Sequence, residues 1–256
     1  MQAGIAALTA LFTKSGTQGM PKPYIICHMA SSLDGKILPR LWAPEGVHDA
    51  SVYDRLHHKL GGGSWIVGRV TAQEFAKRDT YPTTTDKTFV REAWLPQKSA
   101  KAYAIMVDGD GKIAWGRAHV DGEPIVVVLT EQVSDAHLAG LREDGVGYVF
   151  AGRTELDLPL LLEVLHTSLG IKQLLLEGGG GLNGSFLRAG LVDEFSLVLE
   201  PAIDGTRGSP TTFDGGDPNA GLPPVRGLTL TEHNLLEGGV LWLRYSVEHG
   251  PAAKSR

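Results

Sequence analysis

The chain has 256 residues, 42% hydrophobic and 21% charged, the balance of a soluble globule long enough for one sizeable α/β domain. A net charge of −5 leaves no basic face for general nucleic-acid binding, and no uninterrupted apolar run is long enough to span a bilayer. The single cysteine, Cys27, lies inside an apolar run; it excludes an internal disulfide framework and a multi-cysteine metal site, and no metal site is expected.

In chain order, residues 1–19 read as an N-terminal extension or arm, residues 20–250 as a single domain and residues 251–256 as a tail. Gly4–Phe12 is apolar but has no basic segment before it and no small-residue cleavage site after it, so it does not read as a signal peptide and a cytoplasmic location is expected. Tyr24–Ala30 and Trp65–Gly68 read as buried strands with a helix, Ser51–Leu60, between them. Tyr103–Val107, Ile125–Leu129 and Tyr148–Ala151 read as further strands and Ser134–Leu141 as a helix. Leu158–Ser168 carries Leu158, Leu161, Leu162 and Leu165 at helical spacing and feeds a strand at Gln173–Leu176. A short helix over Leu182–Ala189 and a strand over Phe195–Leu199 follow. Leu228–Leu236 and Val240–Glu248 flank Glu237-Gly238-Gly239 and read as an antiparallel hairpin. The pattern predicts an α/β fold whose sheet is mostly parallel with an antiparallel edge. The long segments 78–101 and 201–227 read as functional loops or lids.

The stretch from Leu174 to Glu200 carries the strongest chemical signal. Glu177 ends an apolar run and four glycines, Gly178, Gly179, Gly180 and Gly181, separate it from a helix. Without Cβ atoms the backbone amides there can approach a ligand closely, and a helix N-terminus adds unpaired donors and partial positive charge, which makes a phosphate site. Gly179, Gly181 and Gly184 also satisfy G-x-G-x-x-G, with Glu200 about 20 residues on as a ribose-binding acid, but a glycine run meets that pattern cheaply. A ligand-free turn is the third reading.

Three segments, MASSLDGKI (Met29–Ile37), VGRVTAQEF (Val67–Phe75) and LEGGGGLNGSFLRAGLVDE (Leu176–Glu194), in this order resemble the reductase domain of riboflavin biosynthesis. That family shares its fold with dihydrofolate reductase, and the resemblance covers Pro23 to Glu248. It implies a dihydrofolate-reductase-like α/β fold: a mostly parallel mixed central sheet flanked by helices, with a C-terminal antiparallel hairpin. It also implies a homodimer that reduces a small phosphorylated ribosylamino-pyrimidine, in its 2,5-diamino or deaminated form, with NADPH; NADH stays open. By the same resemblance Ala30, Gly68, Arg69, Thr71, Thr130, Gly178, Gly179, Gly180, Gly181 and Leu182 would hold the cofactor. Ser32, Asp34 and Glu177 would bind substrate, with Asp34 and Glu177 catalytic and flanking one pocket.

Plainer readings stand beside these. Without the resemblance Arg69 reads first as a solvated helix-end charge, and Asp34-Gly35 reads equally as a tight turn in which Asp34 caps its own backbone. Thr130 suits an NADPH 2′-phosphate, whereas Glu131 has the wrong charge. Dihydrofolate reductase itself would need an acid in the first helix; the matching position falls at Val52, with Asp49 and Asp54 out of register, which argues against a pterin. The family's arginine-rich substrate-phosphate turn has no counterpart here; Lys98, Lys101, Arg78 and Arg91 are the substitutes on offer. One cysteine cannot supply a zinc deaminase signature, so a stand-alone reductase is expected. His57-His58 reads as a solvated helix face and His28 as a satisfied core residue. A non-catalytic dinucleotide-sensing domain is the remaining alternative.

Overall fold

The computed structural model describes residues 21–216 and 221–250; the expected arm at 1–19 and tail at 251–256 lie outside them. The strands are β1 (Tyr24–Ser31), β2 (Trp65–Gly68), β3 (Ala104–Val107), β4 (His119–Val120), β5 (Glu123–Leu129), β6 (Gly147–Phe150), β7 (Gln173–Leu176), β8 (Glu194–Leu199), β9 (Val225–Leu235) and β10 (Leu241–His249). They form one sheet in the order β4-β5-β3-β2-β7-β1-β8-β10-β9, with β6 also on β5. Pairings from β6 through β8 are parallel, while β4 on β5, β10 on β8 and β9 on β10 are antiparallel. The mixed sheet with its C-terminal antiparallel hairpin matches the pattern read from the sequence. The two-residue β4 was not foreseen: it is too short for any periodicity, and only the Asp121-Gly122 turn, both residues at positive φ, marks its hairpin with β5.

The helices are α1 (Ala50–Lys59), α2 (Arg69–Ala72), α3 (Asp135–Glu143), α4 (Leu158–Leu169) and α5 (Gly180–Arg188). Three start on side-chain caps: Asp49 accepts from the Ser51 amide, Ser134 from His137 and Asp157 from Leu160. Alternation along the central strands sends Ile26, Trp65, Val67, Met106 and Leu175 to one face, under Val52 and Leu56 of α1. Ile25, Cys27, Ile66, Ile105, Leu174 and Leu176 go to the other, against Leu161, Leu162 and Leu165 of α4 and Phe186 of α5. Strands buried on both faces need near-continuous apolar runs, which is why they were legible.

α5 begins at Gly180, two residues before the predicted start, and the loop over 201–216 lies against it. The Asp214 amide donates to the Gly180 carbonyl at 2.9 Å and Asn183 Nδ2 to the Thr212 carbonyl at 2.9 Å. A Cβ on Gly184 would collide with the Gly215 backbone. Gly184 is therefore a close-packing glycine against the loop over 201–216. Glu200, the ribose acid expected with G-x-G-x-x-G, is buried and paired with His48 at 3.2 Å.

Candidate active site

A cleft of about 780 Å³ opens on the α1 face of the sheet. Met29 and Ala30 at the end of β1, Val67 of β2 and Glu177 just past β7 form its floor; Tyr53, Asp54 and His57 of α1 form one wall. Thr71, Glu74, Phe75, Asp121 and Glu123 also line it. Tyr53 and His57, one turn apart, share a face of α1, while Val52 and Leu56 turn into the core.

Glu177 is at the centre. Its amide donates to the Ile66 carbonyl, which anchors it to β2, and its side chain is only 12% exposed. Burial raises the carboxyl's pKa, and the His57 imidazole 2.8 Å away opposes that rise. The hydrogen bond to Glu177 raises the His57 pKa in return, outweighing the desolvation of its ring. His57 is thus a half-buried member of the cleft and not the solvated helix face expected of it. Tyr53 stacks on His28 with ring centroids 4.3 Å apart and donates its hydroxyl to the His28 carbonyl at 2.9 Å, which fixes α1 over β1. His28 is buried as expected, with Nδ1 on the Ser196 hydroxyl, but its Nε2 has no partner among the described residues. Trp65 Nε1 donates to Glu123, whose carboxyl burial raises.

The glycines form a cradle beside this floor. The Gly68 amide donates to the Gly178 carbonyl at 2.7 Å, which brings the N-termini of α2 and α5 together. A Cβ on Gly179 would meet only Thr71 Oγ1, at 3.7 Å, and one on Gly181 would meet nothing within 4 Å. Gly179 offers no side chain to cap α5, so its first-turn amides stay available to an anion. Arg69 is exposed at the start of α2. This open, amide-lined notch fits the pyrophosphate of a dinucleotide. Gly68, Thr71, Gly178, Gly179 and Gly181 meet there, while Ala30 lines the cleft. Leu182 packs its side chain on Gly68. Two expected members do not face it. Gly180 is turned to the loop, where a Cβ would collide with the Thr211 carbonyl and lie 2.8 Å from Asp214 Oδ2. Thr130 is buried and its hydroxyl donates to the Gly109 carbonyl at 2.9 Å, so it holds a turn.

The model of the RibD C-terminal domain family matches residues 23–241. This chain belongs to that family. The 2,5-diamino-6-ribosylamino-4(3H)-pyrimidinone 5′-phosphate reductase of Methanothermobacter thermautotrophicus is 43% identical over 197 residues, 76% of this chain and 85% of that one. A pyrimidine reductase-like protein of Corynebacterium diphtheriae superposes with a TM-score of 0.64 at 18% identity, covering 93% of this chain and 97% of that one. RibD of Acinetobacter baumannii superposes with a TM-score of 0.56 at 20% identity, covering 89% of this chain and 58% of that one. The shared fold is the dihydrofolate-reductase-like one.

Against the expectations drawn from this RibD-like pattern, the structure separates the two carboxylates. β1 and β7 are hydrogen-bonded neighbours, with Cys27 opposite Leu176, yet Asp34 lies beyond the end of β1 and off the cleft wall. Ser32 Oγ donates to Asp34 at 2.6 Å, and the amides of Asp204 and Gly205 donate to it at 3.1 and 2.8 Å. The Ser32 hydroxyl and these amides lower the Asp34 pKa to about 2. Ser32 itself is buried and off the wall. Asp54, set aside as out of register, does line the cleft, while Val52 is core. The four candidate phosphate ligands all lie off the wall. Arg78 pairs with Asp144 and Arg91 with Asp135, Lys98 is exposed, and Lys101 lies near the opposite, amino-terminal edge of the strands. His57 was the residue missed. Its position one turn after Tyr53, beside core-facing Leu56, was the available signal.

Proposed function

We propose that this chain is an NAD(P)H-dependent reductase of a ribosylamino-pyrimidine 5′-phosphate in riboflavin biosynthesis, a cytoplasmic homodimer acting at C1′ of the ribose. The observation that carries the reading is the His57–Glu177 pair on the floor of a cleft that adjoins an open glycine cradle, in a chain of the RibD C-terminal family. Bound in the cradle, the dinucleotide supplies the hydride. The apolar side chains of Met29, Ala30, Val67 and Phe75 that line the cleft keep water from the reacting carbon. Reduction at C1′ requires the ribosylamine ring to open: the C1′–O4′ bond breaks with its electron pair on O4′, which takes a proton. His57, whose hold on its proton the hydrogen bond to Glu177 strengthens, gives that proton in this reading. Glu177 positions the imidazole and accepts from substrate amino or hydroxyl groups. Asp34 serves by tying the turn after β1 to the loop over 204–205.

For NADPH over NADH, the support is Arg153, which stands 3.8 Å from Glu131 on the loops after β5 and β6 and supplies the cation that Glu131 lacks. For the dimer, it is β9, an edge strand with Leu228, Leu230 and Leu235 exposed. Asp54 on the cleft wall gives a pterin substrate a specific observation of its own. The test is NADPH oxidation with the diamino pyrimidine, its deaminated form and dihydrofolate in parallel. Turnover of a pyrimidine is expected; turnover of dihydrofolate alone would transfer the role of acid to Asp54 and refute the pyrimidine reading.

A further inference from the structure

Glu123 lines the cleft, yet neither the hydride nor the proton transfer calls on it. It opens β5. The register from Trp65 of β2 through Ala104 of β3 to Ile125 of β5 places it two residues before Ile125, on the same face of the sheet as the indole. Ala104 between them is small, so the indole reaches across it and Trp65 Nε1 donates to Glu123 Oε2. Trp65 is buried, and Phe75 stands edge-on to its ring with centroids 5.6 Å apart, so the donor that holds the carboxylate is itself held. The other oxygen, Oε1, has no partner among the described residues. Burial raises the Glu123 carboxyl, opposed by the Trp65 donor and the His57 imidazole, so Glu123 lies within electrostatic reach of the pair at the centre of the site. Trp65 is level with Leu175 of β7 and Ile26 of β1, and Ile26 comes four residues before Ala30. Glu123 thus faces the part of the cleft nearer the amino-terminal ends of the strands, whereas the glycine cradle stands at their carboxyl-terminal ends. An acceptor of fixed orientation, set among aromatic side chains and away from the cradle, suits a hydrogen-bond donor on the edge of a heterocycle.

The two pyrimidines left open by the reductase reading differ at one such edge. The diamino form carries an amino group at C2, a donor; the deaminated form carries a carbonyl oxygen there, an acceptor. A carboxylate oxygen facing the first gains a charge-assisted hydrogen bond, and facing the second it meets a lone pair and leaves both groups unpaired. Resting on that reading, we infer that Glu123 selects between the two substrates: its Oε1 accepts from the 2-amino group of the diamino form and turns away the deaminated one.

The deciding experiment measures kcat/KM of the full chain at saturating NADPH for both pyrimidines, in the wild type and in Glu123→Gln. The wild type should prefer the diamino form by about 100-fold or more, since a site built around a substrate N–H rejects the analogue that lacks it. In Glu123→Gln the indole holds the amide oxygen, and the amide nitrogen faces the cleft as a donor suited to the C2 carbonyl. The preference should shrink to about fivefold or less, or reverse, through a fall on the diamino form and a rise on the deaminated one. Equal losses on both substrates would make Glu123 only a support for Trp65 and overturn the inference. A wild-type ratio within about fivefold would overturn it as well, and both results leave the reductase reading standing. Turnover of neither pyrimidine by the wild type would overturn both. Glu123→Asp, which keeps the charge and withdraws it by one methylene, decides the matter if Glu123→Gln does not give a cooperative melt. A loss of preference of about tenfold or more is expected of it, and an unchanged ratio would overturn the inference.

Discussion

His57 and Glu177 show how burial and pairing together set a site's chemistry. Glu177 is pushed toward its neutral form by burial, while its hydrogen bond to the imidazole makes His57 a weaker acid than a free histidine. If His57 donates the proton, kcat falls as pH rises through a value above the ordinary histidine pKa of about 6.5. His57→Gln should lower kcat by about 100-fold or more and abolish that alkaline limb while NADPH affinity holds. A limb that survived the substitution would assign the proton elsewhere. The same pairing carries a stability sign. Because the folded pKa of His57 is raised, its contribution is complete below the ordinary histidine value and lost as pH rises through the raised one. Asp34 has the opposite sign: its depressed pKa means a contribution present above the ordinary carboxylate value and lost as pH falls toward about 2. Asp34→Asn should lower the melting temperature and speed proteolysis at 204–205 with kcat little changed. A large loss of kcat in a variant that melts normally would make Asp34 catalytic after all.

At the scale of elements, α5 is held where its sequence alone would not put it. Glycines are poor helix formers, yet Gly180 and Gly184 are helical because the loop over 201–216 packs where their side chains would be. The two neighbouring glycines Gly180 and Gly181 therefore answer different questions. Gly180→Val drives a side chain into the Thr211 carbonyl and should lower the melting temperature sharply. Gly181→Val enters open space and should leave the melt intact while weakening NADPH binding by about tenfold or more, or about 1.4 kcal/mol, in a fluorescence titration. Unchanged affinity in a folded Gly181→Val protein would remove the pyrophosphate from the cradle. The hairpin of β9 and β10 offers a separate test: Leu230→Arg should turn a dimer into monomers in sedimentation without unfolding the sheet.

Across the whole molecule, acid sensitivity follows from histidines buried as neutral rings. Burial lowers His28 and His137 to about 4, so both bind protons more weakly folded than unfolded. Stability should therefore fall between about pH 6.5 and about pH 4, by about 3 kcal/mol for each ring at the acid end. Urea midpoints against pH would show it, and His137→Gln should flatten the slope. The strands and helices of this fold were legible in the sequence because their signals are local. Val126, Val127 and Val128 must be apolar on both faces of a parallel strand, and Asp49, Ser134 and Asp157 cap the helices that follow them. The open backbone at the start of α5 was equally legible, since the missing Cβ atoms of Gly178–Gly181 are written in the residues themselves. The meeting of His57 with Glu177, 120 positions apart, was not, and neither was the engagement of Asp34 by the 204–205 amides or the packing of Thr211 on Gly180. By itself the sequence determined most of the elements, the fold class and the run of residues without Cβ atoms at the start of α5, because periodicity, caps and backbone freedom belong to neighbouring residues. The tertiary structure alone decided which carboxylate lines the cleft and which histidine stands beside it, because those depend on how segments far apart in the chain come to lie against one another.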